Sequence, residues 1–432
     1  MNMTNNAYVV LANGHVFEGK SFGATGSVTG EIVFSTSMTG YLETLTNPSN
    51  YGQIIVQTFP LAGNYGIIPA DFESEKSHLG GYIVREVCDA PSNFRCQKGP
   101  SGTLDHFLQI NNVIGLYGID TRRLTKIIRQ AGAMNARILS FSGNSEKDSA
   151  IMHELKKLGI RLESSSTKYF VLTPTAALKN IRTFKNINGV RLVSRNAKKI
   201  EKSAEYVFEE SSQYHAVPLR ADGLKANDLQ QAMASGSHAD GSKKNIVIWD
   251  FGAKANIRRE LLKRGVDVVS LASTTTAHDI LALKPDGVVL SNGPGNPADN
   301  VSIIAEITSL CNTCPKNLAL FGIGLGHQLL ALARGASVEK LQYGHHGTNQ
   351  PVKKLKTGRV YISSQNHRYT VLAEKLPADL LPSFKNVNDQ TIEGLDYSSL
   401  NAFSVQFHPE ASPGPLDTGF LFDDFIKRIQ NH

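Results

Sequence analysis

Cysteine is scarce in this chain: Cys88, Cys96, Cys311 and Cys314 are the 4 among 432 residues, too few for a disulfide framework and in keeping with a reducing compartment. Long apolar runs are missing as well. The longest are strand-sized pieces such as 246–249 and 287–290, far short of the roughly 18 residues a membrane-crossing helix needs, so no membrane partner is expected. The opening MNMTNNAYVVLANG has no basic segment ahead of an apolar core and no small-residue cleavage signature. Neither a secretory signal nor a transit peptide is therefore expected, and the expected location is cytoplasmic. No G-x-x-x-x-G-K-[ST] loop occurs, which argues against catalytic ATP binding by this chain.

What is present is an ordinary globular balance, 41% hydrophobic and 19% charged, long enough for two to three domains. Lys and Arg total 45 against 38 acids, a net charge of +7. These bases are scattered, with only short clusters at 196–202 and 353–356, whereas a nucleic-acid binder concentrates them on one face among aromatics. No nucleic acid is expected as a partner; an acidic partner surface or anionic substrates account for the excess.

From 7 to 138 the chain mixes short alternating strands (8–11, 31–35, 53–58) with Gly and Asn turns and closes in a helical run, 121–130, with Asp120 as its N-cap and Gly132 near its end. Between 142 and 242 it turns polar and charge-mixed, with a helix at 149–158 and a Ser-, Ala-, Gly- and Asp-rich stretch at 221–242 that suits a linker. From Lys244 the pattern becomes regular: strands 245–250, 266–271, 287–291 and 317–322 alternate with helices 254–263, 276–283, 300–310 and 327–334. Such alternation implies right-handed crossovers and an α/β domain with a mainly parallel sheet covered on both faces.

In sheets of this kind ligands bind beyond the carboxyl ends of the strands. Three loops qualify there: 291–297 (SNGPGNP), 321–328 (FGIGLGHQ) and 406–410 (QFHPE). The second has the G-x-Nuc-x-G form of a nucleophile elbow, in which backbone N–H groups at the helix start, around Leu325, face a developing oxyanion. Its central residue is Gly324, which has no side chain to attack anything. A glycine-rich strand-to-helix turn that only packs closely or binds an anion remains the alternative. His408 and Glu410, two apart around Pro409, project to the same side of an extended segment, so Glu410 can orient His408 as a general base. Surface-loop residues without an elbow nearby are the competing reading. The two glycines of the first loop either turn the chain tightly or let backbone approach a ligand. Cys311-x-x-Cys314 has no second pair of ligands at zinc spacing and reads as structural. Adjacent His345 and His346 point to opposite faces of a strand and cannot both chelate one ion. No metal ligand is expected on this chain.

Taken in order, NGPGNP, FGIGLGHQLLA, YGHHGTNQPV, SSQNHRYTV and VQFHPEASPGP resemble the triad-type glutamine amidotransferase domain of the carbamoyl-phosphate synthetase small subunit. Residues 30–66 and 118–135 resemble that subunit's own N-terminal domain. The resemblance covers nearly the whole chain outside about 145–185 and 200–243. It implies a mixed sheet-and-helix N-terminal domain over 1–200 with an insertion at about 145–185, a linker over 201–244 and an amidotransferase domain over 245–432.

In that family a cysteine at the elbow attacks the glutamine amide, a histidine takes its proton with help from a glutamate, ammonia leaves and a thioester is hydrolysed. Carried over, Gly324 stands at the nucleophile position, His408 at the base and Glu410 at its orienter. Ser49, Gly293, Gly295, Leu325, Gln328, Asn366 and Tyr369 fall on glutamine-binding positions, with Gly293 and Leu325 suited to oxyanion stabilisation. Arg368 replaces a glycine that helps hold the amino-acid end of glutamine. Its guanidinium either crowds the pocket or pairs with the substrate α-carboxylate. The implied partners are a large synthetase subunit, which carries the ATP and divalent metal, and L-glutamine; this chain itself needs no cofactor. Four expectations stand open: a working glutaminase with a replacement nucleophile, a subunit that docks on a large subunit using free ammonia, a glutamine-sensing or structural partner, and a glycine that records an engineered or erroneous codon.

Overall fold

The protein is described from a computed structural model covering residues 6–143, 145–160, 169–172, 176–186, 189–194, 199–201, 219–220 and 244–430. It divides into two compact units, 1–187 and 188–432, each taken by itself below. The expected linker 201–244 lies outside the described residues except at its two ends and at 219–220.

In the first unit the expected strands appear as β1 (Asn6–Leu11), β3 (Gly26–Ser35) and β4 (Ile54–Gln57), joined by β2 (His15–Gly23), β6 (Gly81–Ile83), β8 (Ile114–Tyr117), β9 (Met134–Ser140) and β10 (Tyr169–Val171). The short β5 (Leu61–Ala62) and β7 (Glu86–Val87) pair separately. The main sheet runs β1-β9-β3-β4-β6-β8-β2-β10, and β1 also pairs β2. That extra pairing joins β1, at one end of the order, to β2, next to last, so seven strands, with β10 outside them, form a ring without a free edge among them, which removes unpaired backbone groups. The helix Thr121–Ala131 starts where Asp120 accepts the Arg123 N–H at 2.9 Å and stops at Gly132, as N-cap chemistry and glycine's positive φ dictate. Strand β10 and the helices Ser145–Leu158 and Ala176–Thr183 fall in the expected insertion. They belong to this unit: β10 pairs β2, and Leu155, Leu158, Leu178 and Ile181 share a core with Tyr8, Val10 and Val16.

The second unit is built on an eleven-stranded sheet in the order β12-β11-β14-β13-β15-β16-β21-β20-β19-β17-β18. Its parallel centre comprises β13 (Asn245–Asp250), β14 (Asp267–Ala272), β15 (Gly287–Leu290), β16 (Ala319–Ile323) and β21 (Ala402–Val405). Alternate residues of these strands enter two cores. Val247, Trp249, Val288, Leu290 and Leu320 face one, and Ile246, Ile248, Val289, Phe321 and Ile323 the other. Burial on both faces is why β13 reads as a continuous apolar run. Each such fully buried side chain contributes about 1.5–3 kcal/mol relative to exposure.

Two features go beyond the regular alternation. β17 (Val338–Lys354), β18 (Val360–Val371), β19 (Leu380–Asn386) and β20 (Ile392–Tyr397) extend the sheet antiparallel from β21. On the opposite edge β11 (Lys199–Glu201) and β12 (Leu219–Arg220) add antiparallel to β14. Residues 199–200, placed with the N-terminal domain on sequence, thus join the second sheet. Among the described residues no helix is long and apolar enough to cross a membrane.

Candidate active site

The elbow follows from three glycines with different reasons to be there. Strand β16 ends at Ile323 and the helix Leu325–Ala333 begins at once, leaving Gly324 alone at the bend with φ 57° and ψ −110°. A Cβ on Gly326 would lie 2.0 Å from the Leu290 carbonyl oxygen, and one on Gly322 would be 3.0 Å from both the Gly326 oxygen and the Ser404 Cβ. Both flanking positions are glycine because the helix start is pressed against β15 and β21. At Gly324 a Cβ would meet the Asn292 Cβ at 3.3 Å, the Asn292 Cα at 3.7 Å and the Gln406 oxygen at 3.9 Å. Packing therefore leaves room for a side chain there, and what favours glycine is the left-handed backbone.

The general-base candidate reaches the elbow through strand order. β21 lies parallel beside β16 with Ile323 opposite Val405, and the Gly324 N–H donates to the Val405 carbonyl at 2.9 Å. Three residues beyond Val405 comes His408, whose N–H donates to the Ser364 carbonyl at 2.9 Å. Its imidazole Nδ1 is 2.8 Å from Glu410 Oε1, and both side chains are buried. Burial by itself would raise the Glu410 pKa; the Lys254 ammonium and His408 outweigh it and hold the carboxyl down to about 2. Since an ionised carboxylate only accepts, His408 carries its proton on Nδ1 and leaves Nε2 as the basic nitrogen.

Lys254 is the residue that sequence reasoning missed. It is 2% exposed, its Nζ is 3.0 Å from Glu410 Oε1, and it also donates to the Ala411 carbonyl. Its own N–H donates to Asn292 Oδ1 at 3.0 Å, and Asn256 Nδ2 donates to the Glu410 carbonyl. A buried carboxylate without a cation would neutralise, so Lys254 keeps Glu410 charged. The only signal for it in the sequence is a lysine directly beyond a strand's carboxyl end, in WDFGAK.

Of the remaining positions of the second unit, Gly293 and Gly295 lie on the 291–297 loop, Leu325 and Gln328 on the helix that follows the elbow, and Asn366, Arg368 and Tyr369 on β18. A Cβ on Gly293 would lie 2.3 Å from the Phe251 oxygen and 2.8 Å from Leu325 Cδ2, so the 291–297 loop packs onto the elbow only as glycine. Gly295 has φ 94°. The Gly326 N–H is occupied by the Ser291 carbonyl at 2.9 Å, which leaves Leu325 as the elbow residue with an N–H suited to an oxyanion. Gln328 donates to the Tyr369 carbonyl and to Gln406 Oε1, each at 2.8 Å, and so ties the helix to β18 and to the His408 loop. Asn366 Oδ1 is 2.9 Å from His346 Nδ1. Arg368 is half-buried, and burial pulls its guanidinium below the ordinary arginine pKa. Its Cγ would be 3.3 Å from a Cβ on Gly344. Ser49 lies in the first unit, on the 3-10 turn Pro48–Asn50, where its N–H donates to Asn47 Oδ1 at 3.0 Å. Cys311 is buried in the helix Val301–Thr313, its thiol pushed up to about 12 by burial, and Cys314 caps that helix. Neither lies on the elbow.

An α/β sheet with a strand–glycine–helix elbow and a histidine–carboxylate pair just beyond the end of the next parallel strand defines a class of protein, and residues 247–428 match the family model described as glutamine amidotransferase class-I. Residues 9–138 match the carbamoyl-phosphate synthase small chain, CPSase domain. The chain is 41% identical over 426 residues to the carbamoyl phosphate synthase small chain of Syntrophotalea carbinolica, covering 99% of this chain and 98% of that relative. To the pyrimidine-specific small chain of Bacillus subtilis it is 40% identical, covering 98% and 95%, and to the small chain of Akkermansia muciniphila 38%, covering 98% and 97%. The chain belongs to the carbamoyl phosphate synthase small-chain family.

Proposed function

We infer that this chain docks on a carbamoyl-phosphate synthetase large subunit and that its own glutamine hydrolysis is impaired, leaving the assembled enzyme to draw chiefly on free ammonia. The observation that carries this is Gly324: the elbow bends, the helix start faces it and His408 is oriented by an ionised Glu410, yet no thiol stands at the bend. Loss of the nucleophile from such a triad costs on the order of 10⁶ in turnover, with only oxyanion contacts and binding left to act. ATP, a divalent metal and bicarbonate belong to the large subunit in this reading, and carbamoyl phosphate supplies arginine or pyrimidine synthesis in the cytoplasm. Retention of Asn366, Tyr369, Gln328 and the glycine loop supports continued glutamine binding at the site.

The test is carbamoyl phosphate synthesis by the complex with either nitrogen donor. Ammonia should support a far higher rate than glutamine in a preparation free of contaminating glutaminase. Equal rates would show that a nucleophile other than residue 324 operates. If the chain fails to co-purify with a cognate large subunit, the reading gives way to a free-standing glutamine-sensing partner, for which the intact base pair beside an unarmed elbow is the favouring observation.

A further inference from the structure

Away from the elbow, three strands bring together side chains that the proposed glutaminase chemistry leaves unassigned. His345 of β17 stands opposite His367 of β18, and Glu393 of β20 reaches the same point. Among the described residues this is the one group of three His, Cys, Asp or Glu side chains close enough to share an ion. His345 and His346 do diverge, as strand alternation requires: His346 turns to Asn366, and the second imidazole comes from across the sheet. The geometry points to a divalent-metal site of the Zn²⁺-binding His₂Glu type, formed by His345 Nδ1, His367 Nε2 and Glu393 Oε1.

Distances make the first case. His345 Nδ1 is 3.2 Å from His367 Nε2 and 3.2 Å from Glu393 Oε1, and His367 Nε2 is 3.7 Å from that oxygen. Ligands held at about 2.0–2.1 Å around a tetrahedral zinc lie about 3.3–3.4 Å from one another. The three atoms thus form one face of a coordination tetrahedron.

Proton accounting makes the second. His345 Nε2 is 2.7 Å from Asp389 Oδ2, and His367 Nδ1 is 2.9 Å from the Tyr369 carbonyl oxygen. In the metal-ready tautomer both outer nitrogens, which face acceptors, carry the hydrogen, and the inner nitrogens turn lone pairs inward. Gln365 donates its Nε2 to Glu393 Oε2 at 3.0 Å, which aims its Oε1 at His367 Nε2, 3.2 Å away. Two imidazole lone pairs, a carboxylate oxygen and an amide oxygen then converge. The donors nearest them are Asn386 Nδ2, 3.5 Å from His345 Nδ1, and Thr391 Oγ1, 3.5 Å from Glu393 Oε1, both at the outer limit of a hydrogen bond. A positive charge has to sit among these acceptors, and either a metal ion or a proton on His345, which the Asp389 and Glu393 carboxylates favour, supplies it. A carboxylate behind one metal-binding imidazole and a carbonyl behind the other is the outer arrangement that fixes the tautomer for metal binding.

Glu393 is fully buried and His367 nearly so, while the His345 side chain retains 12% exposure, which gives an ion a way in. The fourth position falls to Gln365 or to water. Because His367 stands between Asn366 and Arg368, an ion there would pin the stretch of β18 that carries the glutamine-binding positions, in a structural rather than a chemical role.

The experiment uses the full chain, stripped with chelator and then titrated with Zn²⁺ or Co²⁺ alone. Wild type should retain one equivalent of Zn²⁺ through dialysis and melt at a higher temperature with it. Its Co²⁺ form should show tetrahedral visible absorption without thiolate charge-transfer bands. Asp389→Asn, a partly exposed change outside the ligand set, should weaken binding 10–100-fold, and His345→Ala should abolish it. Retention should be untouched in a Cys311→Ser, Cys314→Ser variant. Wild type that keeps no Zn²⁺ would overturn the proposal and leave a shared proton as the positive species. Retention that survives His345→Ala, or that disappears with the two cysteines, would overturn it as well.

Discussion

Gly324→Cys is the perturbation that separates a site lacking only its thiol from one that has lost more. The bend at φ 57° and ψ −110° costs a non-glycine residue roughly 1–3 kcal/mol. The new Cβ adds little to that, since its tightest neighbour is the Asn292 Cβ at 3.3 Å and the next atoms lie at 3.7 and 3.9 Å. For a unit of this size about 2–4 °C of melting temperature goes with each kcal/mol, so a fall of several degrees is expected. In exchange the thiol would stand at the N-terminus of the helix Leu325–Ala333, where thiol pKa values drop, beside a base whose Glu410 partner is already ionised. Glutamine turnover should rise by up to on the order of 10⁶, the factor that nucleophile loss removes. Steady-state glutaminase rates, acid-quench trapping of the thioester and thermal melting of both forms measure the exchange. A cysteine variant that binds glutamine yet forms no thioester would refute the reasoning. If it fails even to bind glutamine, Arg368 is the obstruction, and Arg368→Gly in the cysteine background should restore binding.

Lys254→Met should destabilise the second unit by about 3–5 kcal/mol, the cost of leaving one member of a buried pair uncompensated. Denaturant titration reads this directly, and an unchanged midpoint would show that Glu410 does not depend on Lys254. Acid should destabilise the same unit in two windows. His327, 0% exposed and lowered to about 3 by burial, takes up a proton in the unfolded chain below its ordinary 6.5 but not in the folded one, so stability falls from about pH 6.5 downward. Glu410, held at about 2, adds a loss as pH drops below the ordinary glutamate value of 4.5. Each group contributes a slope of at most about 1.4 kcal/mol per pH unit. Melting curves between pH 7 and pH 3 that stay flat would contradict both.

Local backbone rules made much of the second unit legible. An apolar run such as 245–250 is the mark of a strand covered on both faces, and His408-Pro409-Glu410 brings base and carboxylate together within three residues; in the first unit Asp120 announces a helix start in the same way. The glycines of the elbow were readable for the same reason, because a tight bend and a close helix approach are properties of a few consecutive residues. What the tertiary structure alone decided involves partners far apart in the chain. Lys254 meets Glu410 across 156 positions, since β13 and β21 open onto the same end of the sheet. His345, His367 and Glu393 converge because β17, β18 and β20 are drawn into one antiparallel extension, and the seven-stranded ring needs β1 to pair with β9, far along the chain. Periodicity is written by the geometry of neighbouring peptide units. The pairing of buried charges is set by strand order, which depends on which apolar faces can be covered together.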